Sequence, residues 1–286
     1  LLGTLTLVKS ASTLQAEQYL APFARGEKIC AFALSESDAG TNSFNIKTTA
    51  VAEGGGFRIN GNKWFITNID NSDALLLVAK TAPSGKEAVK SGSLSLFLID
   101  LPNESLDYTP IPKHGFNYYK SNQLFIEDLF VPESALVGTL GKGFASLAPT
   151  LNAERLLVAA GSIGLARLAL SSAVLYASER VVFDVPIGAH QAVQHPLAAA
   201  HARLESAWWT VRQAAAMEDQ GDQSAHATAL ANTAKYVAVE AAIDACYHSL
   251  QAHGGAGYAR EYHQERWWRE VQLFRLAPLT VGRAHV

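Results

Sequence analysis

Ala31-Phe32-Ala33-Leu34-Ser35-Glu36-Ser37-Asp38-Ala39-Gly40-Thr41-Asn42 is the stretch on which the fold assignment turns. It opens a region, Ile29 to Val137, where short β-branched and aromatic runs alternate with turn residues. Phe57-Arg58-Ile59, then Asn60-Gly61, then Lys63-Trp64-Phe65-Ile66 reads as a hairpin, because Asn-Gly accepts the positive φ angles of a tight primed turn. Leu75 to Ala79, Leu94 to Ile99 and Asn122 to Ile126 read as further strands, with a polar loop from Thr81 to Ser93. Strands at this spacing predict a small antiparallel barrel or sandwich.

On either side the pattern is helical. Ala11 to Phe23 carries a helix-length pattern that Gly26 stops. Beyond Gly138, Ala153 to Arg180, Ala189 to Gly221, Ser224 to His253 and Glu261 to Leu276 read as four helices, closed in turn by loops, by Gly254-Gly255 and by Pro278. Long Ala-rich helices on short loops form a bundle, and small residues on several sides predict packing against another subunit. The expected class is α+β and multidomain: residues 1–28 a remnant of an N-terminal helical domain, 29–137 a β-barrel, 138–286 a C-terminal helical bundle. The chain lacks an initiator methionine and begins abruptly, so more chain is expected upstream.

Composition narrows the function. The 286 residues are 49% hydrophobic and 17% charged, with a net charge of −3, which suits a packed protein and offers no basic field to nucleic acid or anionic lipid. Cys30 and Cys246 make neither a disulfide framework nor a zinc spacing, and a reducing compartment is expected. No stretch of eighteen apolar residues lacks charge, so no membrane span is expected, and the opening Leu1 to Val8 lacks the basic start of a signal peptide. Gly141-Lys142-Gly143 lacks the third glycine and strand–helix context of a dinucleotide fingerprint. His190, His195 and His201 are spaced wrongly for one helix face, and no metal site is expected. Trp208-Trp209 and Trp267-Trp268 read as packing or interface aromatics.

Four segments in order resemble the acyl-CoA dehydrogenase family. Residues 31–42 resemble its "A-x-x-x-T/S-E-P-x-A-G-S-D" signature. Asn60-Gly61-x-Lys63-x-Phe65-Ile66-Thr67-Asn68 is similar to its second barrel motif. Glu179-Arg180-x-x-Phe183 with Gln191 is similar to its helical "R-x-x-F-G…Q" motif, and Gln251-x-x-Gly254-Gly255-x-Gly257-Tyr258 with Glu265-Arg266 and Arg269 to its C-terminal signature. The resemblance implies an FAD enzyme that removes hydrogen from Cα and Cβ of an acyl-CoA thioester. It implies that Phe32, Leu34 and Ser35 contact the flavin ring, that Phe65 stacks where many relatives carry Trp, and that Thr67 bonds near N5. Arg180, Phe183, Gln191, Gln251, Gly254 and Gly255, with Thr280, match positions that hold the rest of the cofactor, in part across a subunit boundary. A homodimer or homotetramer is therefore implied, with an electron-transfer flavoprotein as partner and a bacterial cytoplasm preferred to a mitochondrial matrix.

The reaction needs a carboxylate within about 3 Å of the α-proton and an oxyanion site for the thioester carbonyl. Relatives place that glutamate late, in "Y-E-G-T", or early, in "L-x-x-E-R". Here the late position holds Pro278, and the early one reads Leu151-Asn152-Ala153-Glu154-Arg155, so Glu154 is the expected base. Thr41, Asn152 and Arg155 are expected to contact substrate, with the Glu154 amide and the flavin ribityl hydroxyl on the carbonyl. A solvated Glu154 paired with a helix neighbour is the competing reading. Asp184 replaces the glycine usual after Phe183, and Pro149 is expected to kink the catalytic helix. Three alternatives share the fold: an enoyl-CoA reductase, an oxidase, or a non-catalytic subunit donating half a flavin site.

Overall fold

The computed structural model describes residues 2–81 and 93–277, which form two compact units, 1–151 and 152–286. In the first unit α1 (Leu2–Ser10), α2 (Thr13–Gln15), a π-helical turn (Ala16–Leu20) and α3 (Ala21–Ala24) precede eight strands. Ser12 and Gln15 form a capping box at the start of α2, and Gly26, at φ 70°, ends this helical segment.

The strands are β1 (Cys30–Ala33), β2 (Thr49–Glu53), β3 (Gly56–Thr67), β4 (Ala74–Thr81), β5 (Leu94–Asp100), β6 (Leu106–Pro110), β7 (Ser121–Pro132) and β8 (Leu136–Val137). Their order is β6-β7-β3-β2-β4-β5-β8, with β1 also on β4. The expected antiparallel sheet is a mixed one: β1 and β2 pair in parallel with successive parts of β4, at Cys30↔Ala74 and Thr49↔Lys80. Strand β4 explains its continuous apolar run. Leu75, Leu77 and Ala79 enter one core with Ala33, Ile59 and Phe97, whereas Ala74, Leu76 and Val78 enter another with Leu7, Ile46 and Leu96. A strand covered on both faces has no polar side.

The hairpin expected at Asn60-Gly61 is not there. Strand β3 runs unbroken through both residues, and the chain reverses at Gly54-Gly55, where Glu53 pairs with Gly56. Asn60 is used instead to hold β7: its Oδ1 accepts from the Asp128 amide at 2.8 Å. Gly61 sits at a register shift against β7, and a Cβ there would collide with Thr48. Pairing across the sheet overrides the local turn preference.

The second unit is helical, and α4 (Gly143–Glu179), begun in the first unit, enters it. This helix starts ten residues before the expected Ala153 and runs through Pro149. It is followed by a two-stranded ribbon, β9 (Val181–Val182) and β10 (Val185–Pro186), and by α5 (Gln191–Asp219), α6 (Ala225–His253), α7 (Gly255–Tyr258) and α8 (Gln264–Leu276). Ser224 caps α6, its Oγ accepting from the Ala227 amide at 3.1 Å. The core is built from Leu156, Ala159, Ile163, Ala166 and Ala173 of α4 against Leu204 and Ala207 of α5 and Ala234, Ala238 and Ala245 of α6. Spacings of three and four put these residues on one face of each helix, and alanine lets the backbones approach closely.

Helix α4 bears on the expectation about membrane-length segments, because charges, Arg155 and Arg167 among them, interrupt its apolar run. By length and composition alone it is nonetheless apolar enough to cross a bilayer. Its alanine- and leucine-rich face in the bundle core is a sufficient reason for that composition.

Candidate active site

In the first unit, residues of β1, β3 and the segment after β1 converge. Phe32 lies in β1 opposite Leu76, and Leu34 and Ser35 leave its end half-buried. The Trp64 amide donates to the Ser35 carbonyl at 2.8 Å, which ties this segment to β3. Glu36 and Ala39 exchange backbone hydrogen bonds, forming a tight turn that leads to half-buried Thr41.

One residue past Trp64, the register of β3 on β7 shifts, and Phe65 adopts φ 60° with 58% of its surface exposed. A phenylalanine at positive φ is strained, and its exposure forfeits hydrophobic stabilisation. Both costs fit a ring presented to a ligand. Thr67 follows on the same edge, also exposed, and the chain leaves β3 at Asn68 with φ 60°. Among the described residues the Ser35 and Thr67 hydroxyls have no hydrogen-bond partner. A flat aromatic beside free hydroxyls and strand-edge backbone suits a flavin ring, which has an apolar face and a polar edge.

In the second unit, Asn152, Glu154 and Arg155 lie on α4. Arg155 donates to Asn152 Oδ1 at 2.9 Å, and the buried Asn152 amide donates to Thr228 Oγ1 at 3.3 Å. Half-buried Glu154 makes no ion pair or hydrogen bond among the described residues. Burial pushes its carboxyl up to about 7, against the opposing pull of Arg155. Burial also lowers Arg155 and takes Lys235, a buried lysine of α6, down to about 8, with the Arg155 charge adding to the effect.

The remaining predicted residues gather at one end of the bundle. Phe183 and Asp184 form the two-residue turn of the β9–β10 ribbon, at φ 54° and 64°, and Phe183 is 86% exposed. Arg180 precedes the ribbon and Gln191 begins α5, both exposed. Gln251, Gly254 and Gly255 mark the end of α6, where Gly254 takes φ 56°. The two chain segments meet through Tyr176 and His253, whose rings stack with centroids 4.3 Å apart. Thr280 and Pro278 lie outside the described residues. Among the described residues no three His, Cys, Asp or Glu are grouped to hold a metal ion. An open groove of about 1020 Å³ lies elsewhere in this unit, lined by Arg203, Tyr236, Asp244, Tyr247 and Trp268, and holds none of these residues.

Four residues beside these sites were given no role by the sequence, although Glu36 and Lys63 fall within the two barrel motifs. Lys63 and Glu36 form a buried ion pair at 2.9 Å. His253 Nδ1 donates to the Ser249 carbonyl at 2.9 Å, and its other ring nitrogen accepts from buried Gln264 Nε2 at 3.3 Å. The His in Gln251-Ala252-His253-Gly254-Gly255 could have been noticed; the partnership with Gln264 could not.

Comparison with known proteins agrees with this fold. A family model described as the acyl-CoA dehydrogenase middle domain matches residues 31–129, and one described as the acyl-CoA dehydrogenase C-terminal domain matches residues 141–278. The acyl-CoA dehydrogenase FadE12 of Mycobacterium tuberculosis is 38% identical over 280 residues, covering 97% of this chain and 70% of that protein. A subunit of the caffeyl-CoA reductase–Etf complex of Acetobacterium woodii, CarC, is 35% identical over 94% of this chain and 70% of its own length. Butyryl-CoA dehydrogenase from Megasphaera elsdenii superposes with a TM-score of 0.93 at 29% identity, over 99% of this chain and 73% of that one. The mixed sheet, the alanine-rich bundle and the matched length together place this chain in the acyl-CoA dehydrogenase family of FAD-dependent oxidoreductases.

Proposed function

We propose that this chain carries out α,β-dehydrogenation of an acyl-CoA thioester, with Glu154 as the base that takes the pro-R α-proton. The observation that carries this reading is the state of Glu154: half-buried, without a partner among the described residues, and with its carboxyl pushed up to about 7. A glutamate serving only as a solvated helix charge would sit near its ordinary value or pair with a neighbour. A base that titrates near neutrality suits removal of a weakly acidic C–H proton. Bound FAD supplies the hydride acceptor for the Cβ hydrogen. Phe65 would offer its face to the ring, while Ser35 and Thr67 would offer hydroxyls to its polar edge and Phe32 and Leu34 would border it. Asn152 fixes one side of the Arg155 guanidinium, leaving other donors for the CoA chain, with Thr41 as a further contact.

Arg180, Phe183, Gln191, Gln251, Gly254 and Gly255 are proposed to hold the adenosine diphosphate half, and Thr280 to contact the cofactor. The exposure of Arg180, Phe183, Gln191, Gln251, Gly254 and Gly255, with that of Leu157, Leu168 and Leu175 on α4, supports a homodimer or homotetramer in which those six serve a neighbouring subunit. Electrons would leave to an electron-transfer flavoprotein, and the bacterial relatives fit a cytoplasmic enzyme. Anaerobic titration of the flavin-loaded protein with a panel of acyl-CoAs tests the reaction and substrate class together. Bleaching of the flavin by a saturated acyl-CoA is expected; no bleaching by any of them would sink the reading.

A second reading has one observation in its favour, the similarity to CarC of a caffeyl-CoA reductase complex. It runs the same atoms backwards, saturating an enoyl-CoA with Glu154 returning the proton. Reoxidation of the reduced flavin by an enoyl-CoA, with no bleaching by its saturated counterpart, would favour it.

A further inference from the structure

Lys63 is wholly buried in β3, its side chain 0% exposed. An unpaired ammonium there would cost several kcal/mol. Its Nζ donates to Glu36 Oε1 at 2.9 Å and to the Leu34 carbonyl at 3.0 Å. Glu36 is saturated in turn: Oε1 accepts from Thr48 Oγ1 at 2.6 Å and the Thr48 amide at 3.0 Å, and Oε2 from the Lys47 amide at 2.5 Å. Next to Lys63, the Trp64 amide holds the Ser35 carbonyl. Three consecutive residues after β1 are thus fastened to β3, Leu34 and Glu36 to Lys63 and Ser35 to Trp64. The next residue of β3 is Phe65, at the register shift where the strained ring faces outward.

We infer that Lys63, braced by Glu36, is a positioning residue for the flavin ring. It locks the Leu34–Ser35 segment to the Phe65 bulge and so sets the spacing between the aromatic face and the polar edge of the site. A buried ion pair is a poor source of stability, since apolar residues of similar size often serve as well. What it supplies here is register: an ammonium can bond a carbonyl in the segment after β1 and a carboxylate two residues on, and a methionine cannot. The inference rests on the flavin-binding reading above, and Lys63 itself touches no reacting atom.

The test compares the full chain with Lys63→Met, Glu36→Gln, the double variant K63M/E36Q, and Lys63→Arg. FAD dissociation constants, the visible spectrum of bound flavin, and melting temperatures without flavin are measured for each. The double variant leaves no unpaired buried charge, so it carries the test if Lys63→Met alone fails to fold. The expected result is a double variant that melts near wild type, binds FAD at least about tenfold more weakly and has an altered flavin spectrum, with partial recovery in Lys63→Arg. A double variant with wild-type FAD affinity and spectrum would overturn the positioning role while leaving the flavin reading intact. A wild-type chain that binds no FAD would overturn that reading and this inference with it.

Discussion

In the proposed role Glu154 must be a carboxylate to accept a proton, and burial makes the carboxylate costly. Its pKa of about 7 places the change within reach of ordinary assays. The rate of flavin reduction by acyl-CoA should therefore rise with pH through about 7 and level off above it, and stopped-flow at several pH values measures this. Stability moves the other way. Between about 4.5 and 7 the folded chain holds a proton that the unfolded chain has released, so stability falls as pH rises through that window. Glu154→Gln removes this loss. In urea melts it should match wild type near pH 4 and exceed it at pH 8, by up to about 3 kcal/mol.

At the scale of elements, two backbone positions separate what this fold requires from what it tolerates. Gly61 has no side chain because Thr48 occupies the space a Cβ would need, and backbone and side-chain atoms of Thr48 both stand in the way. Gly61→Ala should cost about 2–4 kcal/mol by chemical denaturation, because β3 must separate from the segment that carries Thr48. Asp184 is the opposite case. It holds φ 64° in the β9–β10 turn, a conformation that glycine takes without strain. Asp184→Gly should stabilise the chain by about 1 kcal/mol in the same measurement, with no change in secondary structure. The same elements show where sequence reading succeeds. Helices α5 and α6 were legible because alanine and leucine recur at three and four residues over nearly thirty positions. Strands β4 and β5 were legible as apolar runs. Strand β3 was misread because Asn60-Gly61 is a strong local turn signal, whereas its actual role, holding β7 through Asp128, depends on a segment nearly seventy residues away. Glu36 and Lys63 illustrate the same limit: nothing local distinguishes a buried lysine from an exposed one.

At the scale of the whole molecule, the predicted site residues fall into two sets. Phe65 and Thr67 belong to one compact unit; Glu154 and Arg180 belong to the other. The segment 31–42, the Glu154 helix and the Gly254-Gly255 stop were each readable in the sequence. That they act together is a proposal that rests on family resemblance, because no periodicity links residues so far apart. If Arg180 serves a neighbouring subunit's flavin, two crippled variants should rescue each other. Glu154→Gln and Arg180→Ala homo-oligomers would each be inactive or weak, yet mixed oligomers contain sites with both Glu154 and a neighbour's Arg180. Refolding or co-expressing the two should restore a substantial fraction of turnover. No recovery in mixed oligomers would assign Arg180 to its own subunit's cofactor.

The most direct test of the account is anaerobic mixing of flavin-loaded Glu154→Gln protein with the acyl-CoA that best bleaches wild type. Binding should persist as a perturbation of the flavin spectrum while reduction slows by about three orders of magnitude or more, the loss expected when a general base is removed. Reduction at a near-native rate would contradict Glu154 as the base and send the search for that carboxylate elsewhere in the chain.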